Sequence, residues 1–330
     1  MTLYNTLVYI TRRIPEPGLI LLRKHFRNLI VNPYDRPATP RELLKNIRTA
    51  HGLIPLLGDV IDKSSIDKAL NLKIIANYAA GYDNIDVGYA TQRGIMVTNT
   101  PDVLTDATAE LTWALILSVA RRITEADRFT KAGKFRSWSP QLLVGTDIHH
   151  KTLGIIGAGR IGQAVALKSR GFEMRILYTN FRRVPIIERK IGAKMVSLKT
   201  LLKNSDFVTL HTPLTPETYH LMGKRELVLM KSSAYLINTS RGPVVDEKAL
   251  VWALKNKRIA GAGLDVYEKE PKIHADLFKL ANVILLPHIG SATTQARIQM
   301  ALVAVKNLIM GLKGKRPINL VNPEVWCRIK

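Results

Sequence analysis

Cysteine is almost missing from this chain: its 330 residues hold one, Cys327. A lone thiol forms no internal disulfide, and it lies outside every motif described below, so neither an oxidising compartment nor thiol catalysis is expected. Long apolar runs are missing too. The most apolar stretch, residues 111–120, is interrupted by Thr112 and Ser118 and is far shorter than the ~18 to 20 residues a membrane-crossing helix needs. At the start, MTLYNTLVYITRRIPEPG places Arg12 and Arg13 after a short apolar segment rather than before it, which is not the order of a secretory signal. A cytoplasmic protein without a membrane partner is the expectation. Acidic residues are scarce as well, 26 against 49 Lys and Arg, for a formal net charge of +23. Such a balance is shared with nucleic-acid binders. Here, however, the basic residues are spread along the chain, thickening only at Arg182-Arg183, Arg189-Lys190 and Lys313 to Arg316. No zinc-knuckle, recognition-helix or aromatic-basic pattern accompanies them. A solvated basic surface is expected, with no specific nucleic-acid partner, and it would attract anionic small molecules.

What is present is the composition of a folded chain, 46% hydrophobic and 23% charged, which excludes disorder and fibrous repeats. Its length suits two domains at roughly 100 to 200 residues each. Short β-branched or apolar runs at residues 7–10, 52–57, 73–77, 96–99, 152–156, 175–178, 207–210, 234–238, 261–265 and 283–285 alternate with helix-like stretches. That alternation predicts an α/β fold of two doubly wound parallel-sheet domains, one flavodoxin-like and one of the Rossmann type. One long helix is predicted over 105–131, after Pro101. Residues 133–150, with Trp138, Pro140, Gly145 and the pair His149-His150, show no periodicity and read as an excursion toward a second subunit. The periodic segment 293–312 follows the last strand and is expected to return to the first domain. The predicted division is therefore a substrate-binding domain of residues 1–100 plus 288–330, and a dinucleotide-binding domain of 101–287 that carries the arm.

After the strand at 152–156 comes Gly157-Ala158-Gly159-Arg160-Ile161-Gly162, opening a predicted helix. In this spacing the first glycine permits the tight turn, the second lets the backbone approach a pyrophosphate, and the third lets helix and strand pack closely. An NAD site would carry an acidic residue at the end of the next strand for the ribose hydroxyls. Instead the chain reads Thr179-Asn180-Phe181-Arg182-Arg183, and arginine pairs bidentately with a 2′-phosphate. NADP is the expected cofactor and NAD the alternative, since the same arginines would also serve as solvated charges or pyrophosphate contacts.

Three further predicted strands run into polar segments: Thr239-Ser240-Arg241-Gly242, Val266-Tyr267-Glu268-Lys269-Glu270-Pro271, and Leu286-Pro287-His288-Ile289-Gly290-Ser291. In an open parallel sheet, ligands bind at these carboxyl ends. Reducing a 2-keto acid needs a cation for the carboxylate and the polarised carbonyl, and an acid to protonate the alkoxide. Arg241 and His288 suit those tasks. A carboxylate beside the imidazole fixes its orientation and stabilises its protonated form, and Glu270 suits that one. None of these residues is assigned to a metal.

With NTSRG, DVYEKEP and LPHIGSAT in this order, the chain resembles the D-isomer-specific 2-hydroxyacid dehydrogenases over essentially its whole length, and within them the glyoxylate and hydroxypyruvate reductases. Residues 77–86 (NYAAGYDNID), 98–101 (TNTP), 103–110 (VLTDATAE) and 260–265 (AGAGLD) carry the same likeness. The resemblance implies that Arg241 binds substrate, Glu270 supports the imidazole and His288 donates the proton. It implies that backbone N–H groups around Ala80 and Gly81 meet the substrate carboxylate; Ala80 stands where relatives often have valine. Asp265 would hold the nicotinamide carboxamide. Cofactor contacts are implied at Ala158 to Ile161, at Asn180, Phe181 and Arg182, at Thr239, Ser240 and Arg241, and at His288, Ile289 and Gly290. A homodimer is implied, with the arm on the partner. Alternatives are a phosphoglycerate, D-lactate or phosphite dehydrogenase, or an NAD(H)-sensing corepressor-like binding protein.

Overall fold

Strand and helix alternate from end to end of the computed structural model, which describes residues 5–329. The chain divides into two units, Thr105–Ser291 and the residues on either side, up to Leu104 and from Ala292. Both boundaries fall four residues beyond those predicted from the sequence. The backbone gives the reason. Thr100 N–H still donates to Ala79 O, 2.8 Å, and the second unit's first helix starts only at Thr105. At the other boundary, the N–H groups of Ile289 and Gly290 are held by Asp265.

The first segment runs β1 (Leu7–Ile10), α1 (Glu16–Arg23), β2 (Asn28–Val31), α2 (Pro40–Ile47), β3 (Gly52–Ile54), α3 (Lys63–Lys68), β4 (Ile74–Ala76), α4 (Val87–Gln92) and β5 (Met96–Thr98). The strands are all parallel, in the order β2-β1-β3-β4-β5, which is the flavodoxin-like order. Capping residues set where the helices begin. Thr39 and Glu42 form a reciprocal capping box ahead of α2, and the Asp62 and Asp86 side chains accept backbone N–H groups at α3 and α4; such caps are each worth ~1 kcal/mol.

The second unit contains α5 (Thr105–Ala120), α6 (Ile123–Lys131), β6 (Thr152–Ile156), α7 (Arg160–Lys168), β7 (Arg175–Thr179), α8 (Pro185–Ile191), β8 (Lys194–Met195), α9 (Leu198–Asn204), β9 (Phe207–Leu210), α10 (Lys224–Leu229), β10 (Tyr235–Asn238), α11 (Glu247–Lys255), β11 (Gly261–Leu264) and β12 (Val283–Leu285). Its seven parallel strands lie in the order β12-β11-β10-β9-β6-β7-β8, so the winding reverses between β6 and β9. Alternate residues of the buried strands face opposite helical layers. Ile155, Phe207 and Ile237 pack with Trp113, Ile116 and Val165, while Ile156, Val208 and Leu236 pack with Leu201, Leu227 and Leu250. The single helix predicted over 105–131 is two, because Arg122 adopts a left-handed backbone (φ 54°) that breaks the hydrogen-bond ladder. Beyond α6, residues 133–150 carry neither helix nor strand. Their return is fixed where Thr146 N–H donates to Ala120 O, 2.8 Å.

From Ala292 the chain rejoins the first unit with α12 (Thr294–Leu312) and α13 (Glu324–Ile329). The buried face of α12, including Ala301, Ala304, Val305 and Leu308, packs against α1, β3 and β4; each fully buried aliphatic side chain is worth roughly 1.5–3 kcal/mol. Asn322 pins the segment beyond it, its Oδ1 accepting from Val97 N–H and its Nδ2 donating to Ile95 O and Thr91 Oγ1.

Candidate active site

Beyond β6 the backbone turns through Gly157 at φ 90°, where a side chain would be strained and a Cβ would come within 2.8 Å of His211 backbone. A Cβ at Gly162 would lie 2.2 Å from Gly157 O, so the start of α7 packs directly on the turn. At Gly159 a Cβ would meet nothing within 4 Å. The N-terminus of α7 is thus open on the side a phosphate would approach, at the strand-order reversal where doubly wound sheets bind dinucleotides. These residues fit the pyrophosphate of a nicotinamide dinucleotide.

Next to this turn, β9 ends in His211 and Thr212. Both His211 ring nitrogens and Thr212 Oγ1 are buried without a hydrogen-bond partner among the described residues, and burial pushes the ring's pKa down to about 3. Sequence reasoning misses them. Their signal is a His-Thr-Pro following a strand, which has no meaning until the neighbouring strand is known.

At the end of β7 the structure modifies the expectation for Asn180 and Arg183. Asn180 Oδ1 accepts from Ala158 N–H (3.2 Å) and its Nδ2 donates to Arg182 O (2.9 Å), so the side chain braces the glycine turn. Arg183 is bound to Glu188 at 3.1–3.2 Å. Glu188 also accepts from Tyr178 Oη at 2.7 Å, and the Tyr178 and Arg183 contacts hold its carboxyl below the usual carboxylate range. Among the described residues, the Arg182 guanidinium has no ion pair, and Phe181 beside it is 96% exposed.

The sheet's other half carries the residues expected to act on a substrate. Asn238 closes β10 by accepting from Ser240 N–H and Oγ (3.0 and 2.8 Å) and donating to Arg241 O (3.0 Å), which shapes the turn presenting Arg241. A Cβ at Gly242 would fall 1.8 Å from the Tyr267 backbone, so this turn and the one after β11 pack backbone to backbone. Thr239 Oγ1 lies 2.9 Å from Thr112 Oγ1 of α5. Glu270 Oε2 is 2.8 Å from His288 Nδ1, and Glu270 Oε1 accepts from Tyr267 N–H at 3.0 Å. Burial raises the Glu270 pKa, but the His288 bond and charge, the Tyr267 N–H and the Arg241 charge outweigh it and leave the carboxyl lowered.

His288 itself has φ 55°, a conformation costing a non-glycine residue roughly 1–2 kcal/mol. What holds it is Asp265, buried at the end of β11, whose two oxygens accept Ile289 and Gly290 N–H at 2.7 Å each; burial holds that carboxyl above the ordinary range. Asp265 therefore has a structural task besides the implied cofactor contact. With Nδ1 facing a carboxylate, the imidazole carries its proton there. Nε2 takes no hydrogen bond among the described residues and is the atom left for chemistry.

In the first unit, the loop after β4 is held by its carbonyls. Asn77 Nδ2 donates to Gly81 O (2.9 Å) and Asn84 Oδ1 (3.0 Å), Asn99 Nδ2 to Ala80 O (2.6 Å), and Thr100 N–H to Ala79 O (2.8 Å). The N–H groups of Ala80 and Gly81 have no acceptor among the described residues, an arrangement suited to an anion. Asn77 and Asn99 do not stand out in the sequence, because their partners are backbone atoms that only the fold identifies.

A dinucleotide turn, a carboxylate-paired histidine and an arginine at the carboxyl ends of one parallel sheet define a nicotinamide-dependent oxidoreductase. Residues 113–290 match the family model described as D-isomer specific 2-hydroxyacid dehydrogenase, NAD binding domain, and the chain belongs to that family. It is 54% identical to the glyoxylate reductase of Thermococcus litoralis over 96% of this chain and 97% of that one. A crystal structure of a protein from Thermus thermophilus superimposes with a TM-score of 0.89 at 45% identity, covering 96% of this chain and all of the other. That of an NADPH-dependent glyoxylate/hydroxypyruvate reductase from Sinorhizobium meliloti, in complex with NADP and malonate, gives 0.84 at 30% identity, covering 97% of each. Among the described residues no helix is long and apolar enough to cross a membrane.

Proposed function

We propose that this dehydrogenase reduces glyoxylate to glycolate and hydroxypyruvate to D-glycerate, with NADP(H) as its preferred cofactor. The observation that carries the reading is the 2.8 Å contact between Glu270 and His288, which leaves Nε2 available as a proton donor. The names of the Thermococcus and Sinorhizobium relatives supply the substrate class. Gly157 to Gly162, Asn180 to Arg182, Thr239 to Arg241 and Asp265 would hold a nicotinamide dinucleotide, which when bound and reduced would supply the hydride for C2 of the keto acid. His288 protonates the oxygen that becomes the hydroxyl, Glu270 stabilising the protonated ring. Arg241 binds the carboxylate and polarises the carbonyl; in the first unit, the Ala80 and Gly81 N–H groups lie in a loop that suits a carboxylate. The Asp265 clamp keeps the His288 ring in place.

For the cofactor, support comes from Arg182, which has no charged partner among the described residues, and from a sequence without a carboxylate at Thr179 or Asn180. The chain also dimerises through residues 133–150, where Trp138 is 80% and Val144 61% exposed; exposed apolar groups of this kind mark association surfaces.

Steady-state kinetics with glyoxylate, hydroxypyruvate and pyruvate, each with NADPH and NADH, test the proposal. The highest kcat/KM is expected for glyoxylate with NADPH, and higher efficiency with pyruvate would displace the substrate assignment. His288→Asn should lower kcat ~100-fold or more with cofactor affinity retained; near-normal kcat would remove His288 as proton donor.

A further inference from the structure

The pair His149-His150, which the reaction does not use, meets Glu173 at the amino ends of β6 and β7, the end of those strands opposite the cofactor turn. We propose that these three side chains form a surface site for a divalent transition-metal ion of the zinc, nickel and copper class. One ligand atom from each lies within 4.8 Å of the other two. The imidazole centroids of His149 and His150 are 3.8 Å apart, tilted by 49°, and His150 Nδ1 is 3.7 Å from Glu173 Oε2.

Backbone geometry builds this meeting. Neighbouring residues in extended chain point apart, but His150 has φ 60° and Glu173 φ 50°, two left-handed non-glycine residues facing one another. Such outliers are uncommon and costly, so their coincidence at one spot asks for a reason. The two turns are bound together by His150 N–H donating to Phe172 O (3.1 Å) and Arg175 N–H to Lys151 O (3.0 Å). Ligand spacing is thus set by the pairing of β6 and β7, which begins at Thr152 and Arg175, rather than by flexible side chains alone.

Around a tetrahedral ion with bonds of about 2.0–2.1 Å, ligand atoms sit about 3.4 Å apart. Closing from 4.8 Å or less to that spacing needs only side-chain rotation, which three exposed residues perform without disturbing packing. Two imidazoles and one carboxylate suit zinc, nickel or copper, and supply too few oxygens for calcium or magnesium. Three protein ligands leave a fourth position to water. A bound ion would tie the end of the arm to the turn before β7, and binding to the folded state alone would raise stability by mass action.

The test is calorimetric titration of the untagged, chelator-stripped full chain with Zn2+ and Ni2+, and with Mg2+ as control. One ion per chain is expected for zinc and nickel and none for magnesium, with a rise in Tm that saturates alongside binding. His149→Ala/His150→Ala should weaken binding at least tenfold and abolish the Tm rise. Glu173→Gln should weaken binding less but measurably. Because all three residues are exposed, the metal-free variants should keep the parent Tm. No saturable zinc or nickel binding would overturn the proposal, as would unchanged stoichiometry and affinity in the double variant, which would put the ion elsewhere. A loss on histidine removal with no effect of Glu173→Gln would also overturn the three-ligand site.

Discussion

Among single residues, His211 carries the sharpest consequence of its surroundings. Its ring nitrogens are buried and unpartnered, so the charged ring is strongly disfavoured in the fold and its pKa falls to about 3. The unfolded chain protonates the same ring near ~6.5. Below that value the unfolded state binds a proton that the native state refuses. The stability His211 confers as a neutral group is therefore complete above about pH 6.5 and is lost progressively as pH falls toward about 3. Each proton so linked changes stability by about 1.4 kcal/mol per pH unit. Unfolding free energies of the parent and of His211→Gln, measured by urea titration from pH 7.5 to 5, should diverge by about that slope below pH ~6.5, the parent losing more; parallel curves would refute the burial of a neutral ring. Glu270 works in a lower range. Its lowered carboxyl stabilises the fold above its unfolded value, about 4.3, and that contribution disappears only as pH falls further, through the folded value. The two effects are separable.

At the scale of elements, the proposed preference for NADP(H) rests on β7 and the turn behind it. Arg183 is committed to Glu188, next to the Tyr178 hydroxyl, and thereby anchors the start of α8. Arg182 is not so committed. Removing Arg182 should delete a charge-assisted bond to the 2′-phosphate worth ~1.5–3 kcal/mol, weakening NADPH at least tenfold while leaving NADH nearly unchanged. Arg183→Ala should instead affect both cofactors alike, through the position of α8. Measuring kcat/KM for both cofactors in both variants checks this, and equal weakening of NADPH and NADH by Arg182→Ala would remove the specificity role. The placement of the glycine turn and of Arg241, Glu270 and His288 just after strands was legible in the sequence, because the chemistry proposed for them asks for those residue types there. The central strands were legible because burial on both faces demands β-branched and apolar runs. Other elements left no such trace. β8 is a two-residue exposed strand, Lys194–Met195, and β2 is an edge strand whose Leu29, Ile30 and Val31 remain half-buried. Neither stands out from a loop. The break at Arg122 carries no Gly or Pro and is closed by its bidentate pairing with Glu125 at 2.7–2.8 Å, a contact that exists only once the turn has formed. Asn77 and Asn99 share this obscurity, since each acts on carbonyls of a loop whose path the sequence does not announce.

For the whole molecule, charge and the exposed arm pull in opposite directions. A chain of net charge +23 repels its own copy, and that repulsion is screened over about 10 Å at 0.1 M salt. Residues 133–150 present Phe135, Trp138, Leu142 and Val144 at 57%, 80%, 36% and 61% exposure, apolar surface whose burial does not weaken with moderate salt. If these groups drive the proposed dimer, association should be tighter at 300 mM than at 20 mM NaCl, because salt removes the repulsion and leaves the apolar contribution. An interface built on ion pairs would respond in the reverse sense. Sedimentation equilibrium at the two salt concentrations distinguishes them. Trp138→Ser/Val144→Ser should shift the equilibrium toward monomer at both, since a few large anchors, tryptophan above all, carry most of an interface's binding energy. The charge also makes a separate contribution, drawing anionic keto acid and cofactor toward each copy at low salt, so activity must be compared at one ionic strength. A parent that sediments as a monomer at ~10 μM with full turnover, or a dimer that loosens as salt rises, would contradict assembly through the arm.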